Sequence, residues 1–159
     1  MVTLTTEPNH YFHMRAALSL ARRGLGNVWP NPAVGCVITN YGNVIARGWT
    51  QPGGRPHSEV EALNRAGSKS KGSTVYVTLE PCAHHGQTSS CAQALVEAGV
   101  SCVYVACRDP DERVNGKGIE VLKNSNIEVH EGLELNDAIY LNAGFFSKIG
   151  YTACLEHNV

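Results

Sequence analysis

The chain has 159 residues, with 13 lysines and arginines against 14 aspartates and glutamates and a net charge of −1. One domain of that length buries roughly two-thirds of its unfolded surface, so its six cysteines are not needed as a disulfide scaffold. The balanced charge leaves no basic face for gripping a polyanion, and neither a secretory-type apolar core at the start nor an apolar run of about 18 residues is present, so a cytoplasmic protein with no nucleic-acid or membrane partner is expected.

In chain order, the spacing of Tyr11, Met14, Leu18, Ala21 and Leu25 predicts an amphipathic helix stopped by Gly24 and Gly26. Arg15, Arg22 and Arg23 fall on its polar side and read as a solvated face. AVGCVIT (33–39) and VIARGW (44–49) flank NYGN, a turn short enough for an antiparallel hairpin. A helix follows in HSEVEAL, with Pro56 before it and Gly67 after its last turn. TVYVTL (74–79) and CVYVAC (102–107) are β-branched and apolar with little alternation, as in strands covered on both faces. A helix over 91–100 connects them, and a right-handed crossover would make them parallel. A helix at 117–124, a strand at 127–132 and a helix from 134 to 148 complete a three-layer α/β/α sandwich around a mixed sheet of about five strands. Residues 1–150 form one domain in this reading, and 151–159 a C-terminal tail.

Four of the cysteines, Cys36, Cys102, Cys107 and Cys154, lie in or beside apolar runs and read as small buried hydrophobes. Cys82 and Cys91 differ, because PCAHHGQTSSC (81–91) places them just past a strand and at the start of the next helix. That edge of an α/β sheet is where ligands bind. His57 and Glu59 lie upstream, at another helix entry. Residues two apart on a regular helix point about 200° away from each other, so one of this pair must occupy the irregular entry. With His57 at the cap and Glu59 in the first turn, both can face a common point.

Two thiolates and an imidazole fill three tetrahedral positions of a zinc ion and leave a fourth for water, which zinc brings to deprotonation near neutral pH. Glu59, outside the ligand set, is then free to carry protons. Nucleobase deaminases use this arrangement of H-x-E followed by P-C. Two plainer arrangements use the same residues. The cysteines could be buried while His57 and Glu59 serve only the helix start, or His84 or His85 could close a structural zinc site as fourth ligand.

The chain resembles the deaminase domain of the bifunctional riboflavin-biosynthesis deaminase/reductase, a branch of the cytidine-deaminase-like fold. The resemblance is carried by NPAVGCVI (31–38), GGRPHSEVEAL (53–63), VTLEPCAHHGQTSSC (77–91), DPDERVNGKGIEVL (109–122) and LNAGFF (141–146). The long spacing between Cys82 and Cys91 sets this branch apart from deaminases with C-x-x-C. The resemblance implies a zinc-dependent hydrolase that deaminates 2,5-diamino-6-ribosylamino-4(3H)-pyrimidinone 5′-phosphate to the 5-amino-6-ribosylaminouracil phosphate and ammonia. It implies zinc on His57, Cys82 and Cys91, proton transfer by Glu59, and substrate contacts from Asn31, His84 and Asp109. It further implies a dimer or larger assembly.

This sequence departs from the family pattern in three places. Gln87 stands where members often carry a cation suited to the substrate phosphate. Thr50 stands where many relatives have histidine, so one polar contact to substrate is expected to differ. No reductase domain follows GFFSKIG, so either a separate reductase polypeptide is expected to perform the next step or this chain is a fragment of a bifunctional enzyme. Gln87 keeps open an alternative base, such as guanine, cytidine or a modified pyrimidine.

Overall fold

The computed structural model describes residues 9–150, apart from residues 85 and 87. The tail at 151–159 and Cys154 therefore lie outside the described residues. Helix α1 (His10–Ala21) starts where the Asn9 side chain accepts the Phe12 amide at 3.0 Å, an N-cap bond. Strands β1 (Gly35–Asn40) and β2 (Asn43–Trp49) form the expected antiparallel hairpin. Its two turn residues, Tyr41 and Gly42, both have positive φ (49° and 77°), the turn whose twist matches paired strands. Helix α2 (Ser58–Ala66), strand β3 (Thr74–Val77), helix α3 (Cys91–Glu97) and strand β4 (Cys102–Val105) follow. Helix α4 (Lys117–Asn124), strand β5 (Glu128–Glu131) and helices α5 (Leu135–Leu141) and α6 (Ala143–Lys148) complete the described order.

The sheet order is β2-β1-β3-β4-β5, antiparallel at β2-β1-β3 and parallel at β3-β4-β5. The two neighbours Gly35 and Cys36 point to opposite faces. On the Gly35 face α1 lies so close that an added Cβ would sit 1.8 Å from the Ala17 carbonyl oxygen. On the other face Gly48, the register partner of Cys36, lies against the α2 backbone, where a Cβ would sit 2.2 Å from the Ser58 oxygen. Helices α3 and α4 extend the α2 layer, and α5 packs with α1, so the sandwich has three layers as expected.

Three expectations change. Tyr11 and Leu25 are exposed, because α1 buries a stripe through His13, Ala17 and Leu20 and tightens after Ala21 into a short turn. The helix expected over 134–148 breaks at Asn142, whose buried amide leaves the helix pattern to bond both backbone groups of Ala33: Nδ2 donates to its oxygen at 2.8 Å and Oδ1 accepts its amide at 3.0 Å. Finally, of the two strands expected to be covered on both faces, β3 is and β4 is not. Beyond β3 α1 does not reach, leaving Cys102 and Tyr104 half-buried and Glu128 and His130 exposed.

His13 on α1 is 6% exposed, its Nδ1 is buried without a hydrogen-bond partner among the described residues, and its ring packs 5.1 Å from that of Tyr76. Burial lowers its pKa from 6.5, with the neighbouring His10 acting in the same direction. The unfolded chain therefore binds this proton more readily than the folded one, so His13 costs no stability above pH 6.5 and an increasing amount as pH falls below it. His13→Leu is expected to flatten the fall in melting temperature between about pH 7 and pH 5. Parallel melting curves for the two proteins would reject that role.

Candidate metal centre and active site

His57 occupies the cap of α2 in extended conformation (φ −68°, ψ 160°) and Glu59 lies in the first turn, the arrangement that lets both face one point. Cys91 opens α3 behind the cap Ser90, whose side chain accepts the Gln93 amide at 3.1 Å. Cys82 lies in the loop after β3, and its sulfur accepts the Cys91 amide at 3.2 Å. The His57 Nδ1 is 3.2 Å from the Cys91 sulfur and 3.8 Å from the Cys82 sulfur, and all three ligand atoms lie within 4.8 Å of one another. Tetrahedral zinc bonds of about 2.0–2.3 Å put nitrogen and sulfur about 3.6 Å apart. The observed separations bracket that value, so this donor set fits zinc.

Electrostatics favour the thiolate. A hydrogen bond with the Cys91 thiol holds Cys82 well below the usual thiol range, and the His57 ring and the Cys91 amide act in the same direction against burial. The contact with Cys82 raises the pKa of His57, with Glu59 adding to it and burial opposing. Glu59 is 3% exposed and accepts a hydrogen bond from the Ser58 hydroxyl at 2.9 Å. Burial raises its carboxyl above the ordinary range, partly offset by His57.

His57, Glu59 and Cys82 open onto a cavity of about 500 Å³ that also carries Asn31, Thr50, His84 and Asp109. The Asn31 amide packs against Gly54, where a Cβ would sit 1.8 Å from its Nδ2, so only glycine (φ 91°) leaves it room. Asn31 is a turn residue as well, its backbone amide bonding the Val28 oxygen at 2.9 Å. His84 is exposed at the rim. Asp109 both turns the chain, accepting the Asp111 amide at 2.9 Å, and faces the cavity with its pKa raised by burial. Thr50 is 2% exposed and its hydroxyl is spent on the backbone, accepting the Val34 amide at 2.9 Å. Gln87 lies outside the described residues, as does His85.

Four cavity residues have no mark in the local sequence. Arg55 and Arg113 add cations, Phe145 of α6 supplies an apolar wall, and Glu80 organises the loop that carries Asp109. The buried Glu80 carboxylate accepts the amides of Asp109 and Gly116 at 3.1 Å and of Gly118 at 3.0 Å. Arg113 is bound to the Asp111 carboxylate, whereas Arg55 is exposed and has no ion pair among the described residues.

A His-Cys-Cys cluster that fits zinc, with a buried carboxylate beside it at the end of β3 in this sheet order, is the arrangement of the zinc-dependent deaminase class. Residues 7–107 match the family model described as the cytidine and deoxycytidylate deaminase zinc-binding region, and the chain belongs to that family. It is 46% identical over 138 residues to the riboflavin biosynthesis protein RibD of Escherichia coli, covering 87% of this chain and 38% of that protein. It is 41% identical to the diaminohydroxyphosphoribosylamino-pyrimidine deaminase of Buchnera aphidicola from Schizaphis graminum, covering 87% of this chain and 94% of that one. The solved structure of Acinetobacter baumannii RibD matches with a TM-score of 0.85 at 48% identity, over 88% of this chain and 39% of that one. The chain thus spans well under half the length of the RibD proteins it matches. No described helix is long and apolar enough to cross a membrane.

Proposed function

We propose that the chain hydrolyses the exocyclic 2-amino group of 2,5-diamino-6-ribosylamino-4(3H)-pyrimidinone 5′-phosphate, releasing ammonia and leaving a ring carbonyl. The observation that carries this reading is the buried Glu59 carboxylate on the same cavity as His57 and Cys82, which cluster with Cys91, joined by likeness to a relative named for that deamination. His57, Cys82 and Cys91 would hold zinc, which when bound supplies Lewis-acid activation of a water near neutral pH. Glu59 accepts the proton of the attacking water as the C–O bond forms, then passes it to the 2-amino nitrogen as the C–N bond breaks. Asn31 can donate to and accept from one pyrimidine edge, His84 and Asp109 address the substrate from the rim and the loop, and Thr50 acts only by holding the start of β1.

Arg55 answers the question raised by Gln87. It stands on the cavity wall two residues before His57, exposed and without an ion-pair partner among the described residues, so it can meet a phosphate with a paired hydrogen bond. The test is ammonia release by the zinc-loaded chain, offered the ribotide, its dephosphorylated form, cytidine and guanine. The ribotide is expected to be preferred, and Arg55→Ala is expected to raise its KM about tenfold, the effect of about 1.4 kcal/mol, with the dephosphorylated compound unaffected. Preference for cytidine or guanine would move the chain to another substrate, and an equal KM change for both forms would remove Arg55 from the phosphate.

A further inference from the structure

A second group of metal-ligating side chains lies away from this centre. Cys102 opens β4 and Glu128 opens β5, and the two are register partners; His130 follows two residues along β5 and so points to the same face. The cysteine sulfur, a carboxylate oxygen and an imidazole nitrogen all lie within 4.8 Å of one another. Cys102 pairs across the sheet with Thr74, the first residue of β3, whereas Cys82 lies beyond the last. The group therefore sits at the opposite end of the parallel strands from His57, Cys82 and Cys91.

The geometry is held in place before any ligand arrives. The His130 Nε2 bonds the Glu128 carboxylate, and its ring stacks on Tyr104 at 4.6 Å and 21°. The Tyr104 hydroxyl in turn meets the His10 Nε2 at 3.1 Å, and the other nitrogen of His10 meets the Tyr76 hydroxyl at 2.8 Å. Burial and the facing Glu128 carboxylate push the Cys102 thiol up to about 11, a repulsion that a cation between the two groups would reverse. Glu128 and His130 are exposed, so an ion can reach them.

We propose that Cys102, Glu128 and His130 form a second zinc site, which ties the edge strand β5 to β4. One thiolate, one imidazole and one carboxylate suit zinc or a neighbouring late first-row divalent ion, and the thiolate argues against calcium and magnesium. With one thiolate in place of two, the site binds more weakly than the centre at Cys82 and Cys91. Metal counting does not depend on which base the chain deaminates, so failure here and failure of the substrate reading are separable.

The test uses the whole chain stripped of metal and titrated at equilibrium with zinc against a chromophoric chelator, then with cobalt while thiolate-to-cobalt absorption is followed. Two equivalents are expected, filling in succession. His130→Asn, on the surface, and Cys102→Ser are each expected to abolish the second equivalent while leaving the first and the rate of ammonia release unchanged. The cobalt absorption belonging to the second equivalent is expected to vanish in Cys102→Ser. A single equivalent in the unaltered chain, or a second equivalent that survives both substitutions, would overturn the proposal.

Discussion

Glu59→Gln is expected to leave the metal content unchanged and to lower kcat by roughly 10²–10⁴-fold, the span that a positioned proton carrier contributes. The substitution keeps the volume and one oxygen at a position that is 3% exposed, so the Ser58 hydrogen bond can persist on the amide oxygen. What it removes is the ability that the proposed reaction requires, to accept a proton from water and return it to the leaving nitrogen. His57, Cys82 and Cys91 keep their places, because none depends on Glu59 for its position: the cap of α2, the bond from the Cys91 amide to Cys82 and the start of α3 hold them. Metal analysis beside single-turnover ammonia release separates the two roles. Loss of metal with the substitution would make Glu59 a ligand or a support for one, and undiminished turnover would leave the proton path to another group.

Much of this centre was legible because it rests on local rules. Pro56 marks a helix entry, and an entry is the one place where His57 and Glu59, two residues apart, can face the same point. The hairpin turn at Tyr41 and Gly42 and the parallel β3-α3-β4 crossover follow from equally short stretches of chain. What stayed hidden depends on partners far along the chain. Glu80 looks like any carboxylate at a strand end until Gly116 and Gly118 arrive from 36 and 38 residues away. Asn142 breaks a helix only because the backbone of Ala33, 109 residues distant, takes both ends of its amide. Cys102 shows the same limit from the opposite direction. Its apolar run resembles that of β3, but coverage of a strand is decided by how far α1 reaches across the sheet, which composition does not record.

Glu80→Gln is expected to lower both the stability of the fold and its affinity for substrate. One Glu80 oxygen accepts the amides of Asp109 and Gly116, and the other accepts that of Gly118, with the Ile119 amide at 3.4 Å. A glutamine amide has one oxygen and one donor group, so either orientation turns an N–H toward backbone N–H groups that face no other acceptor in these bonds. Gly118 is itself tightly packed, its α-carbon so close to Pro81 that a Cβ would sit 1.8 Å from the carbonyl oxygen. Losing charge-assisted bonds inside the fold is expected to cost roughly 2–3 kcal/mol. For a chain of this size that lowers the melting temperature by about 5–10 °C. The functional effect should appear in KM rather than kcat, because the loop carries Asp109 to the cavity while in the proposed reaction the reacting carbon is served by Glu59 and the His57, Cys82 and Cys91 cluster. A rise in KM of about tenfold, equivalent to about 1.4 kcal/mol, with kcat within a factor of about two is therefore expected at temperatures where the variant is fully folded. A lower melting temperature with an unchanged KM would reduce Glu80 to a stability role, and a fall in kcat alone would place the loop in the chemical step.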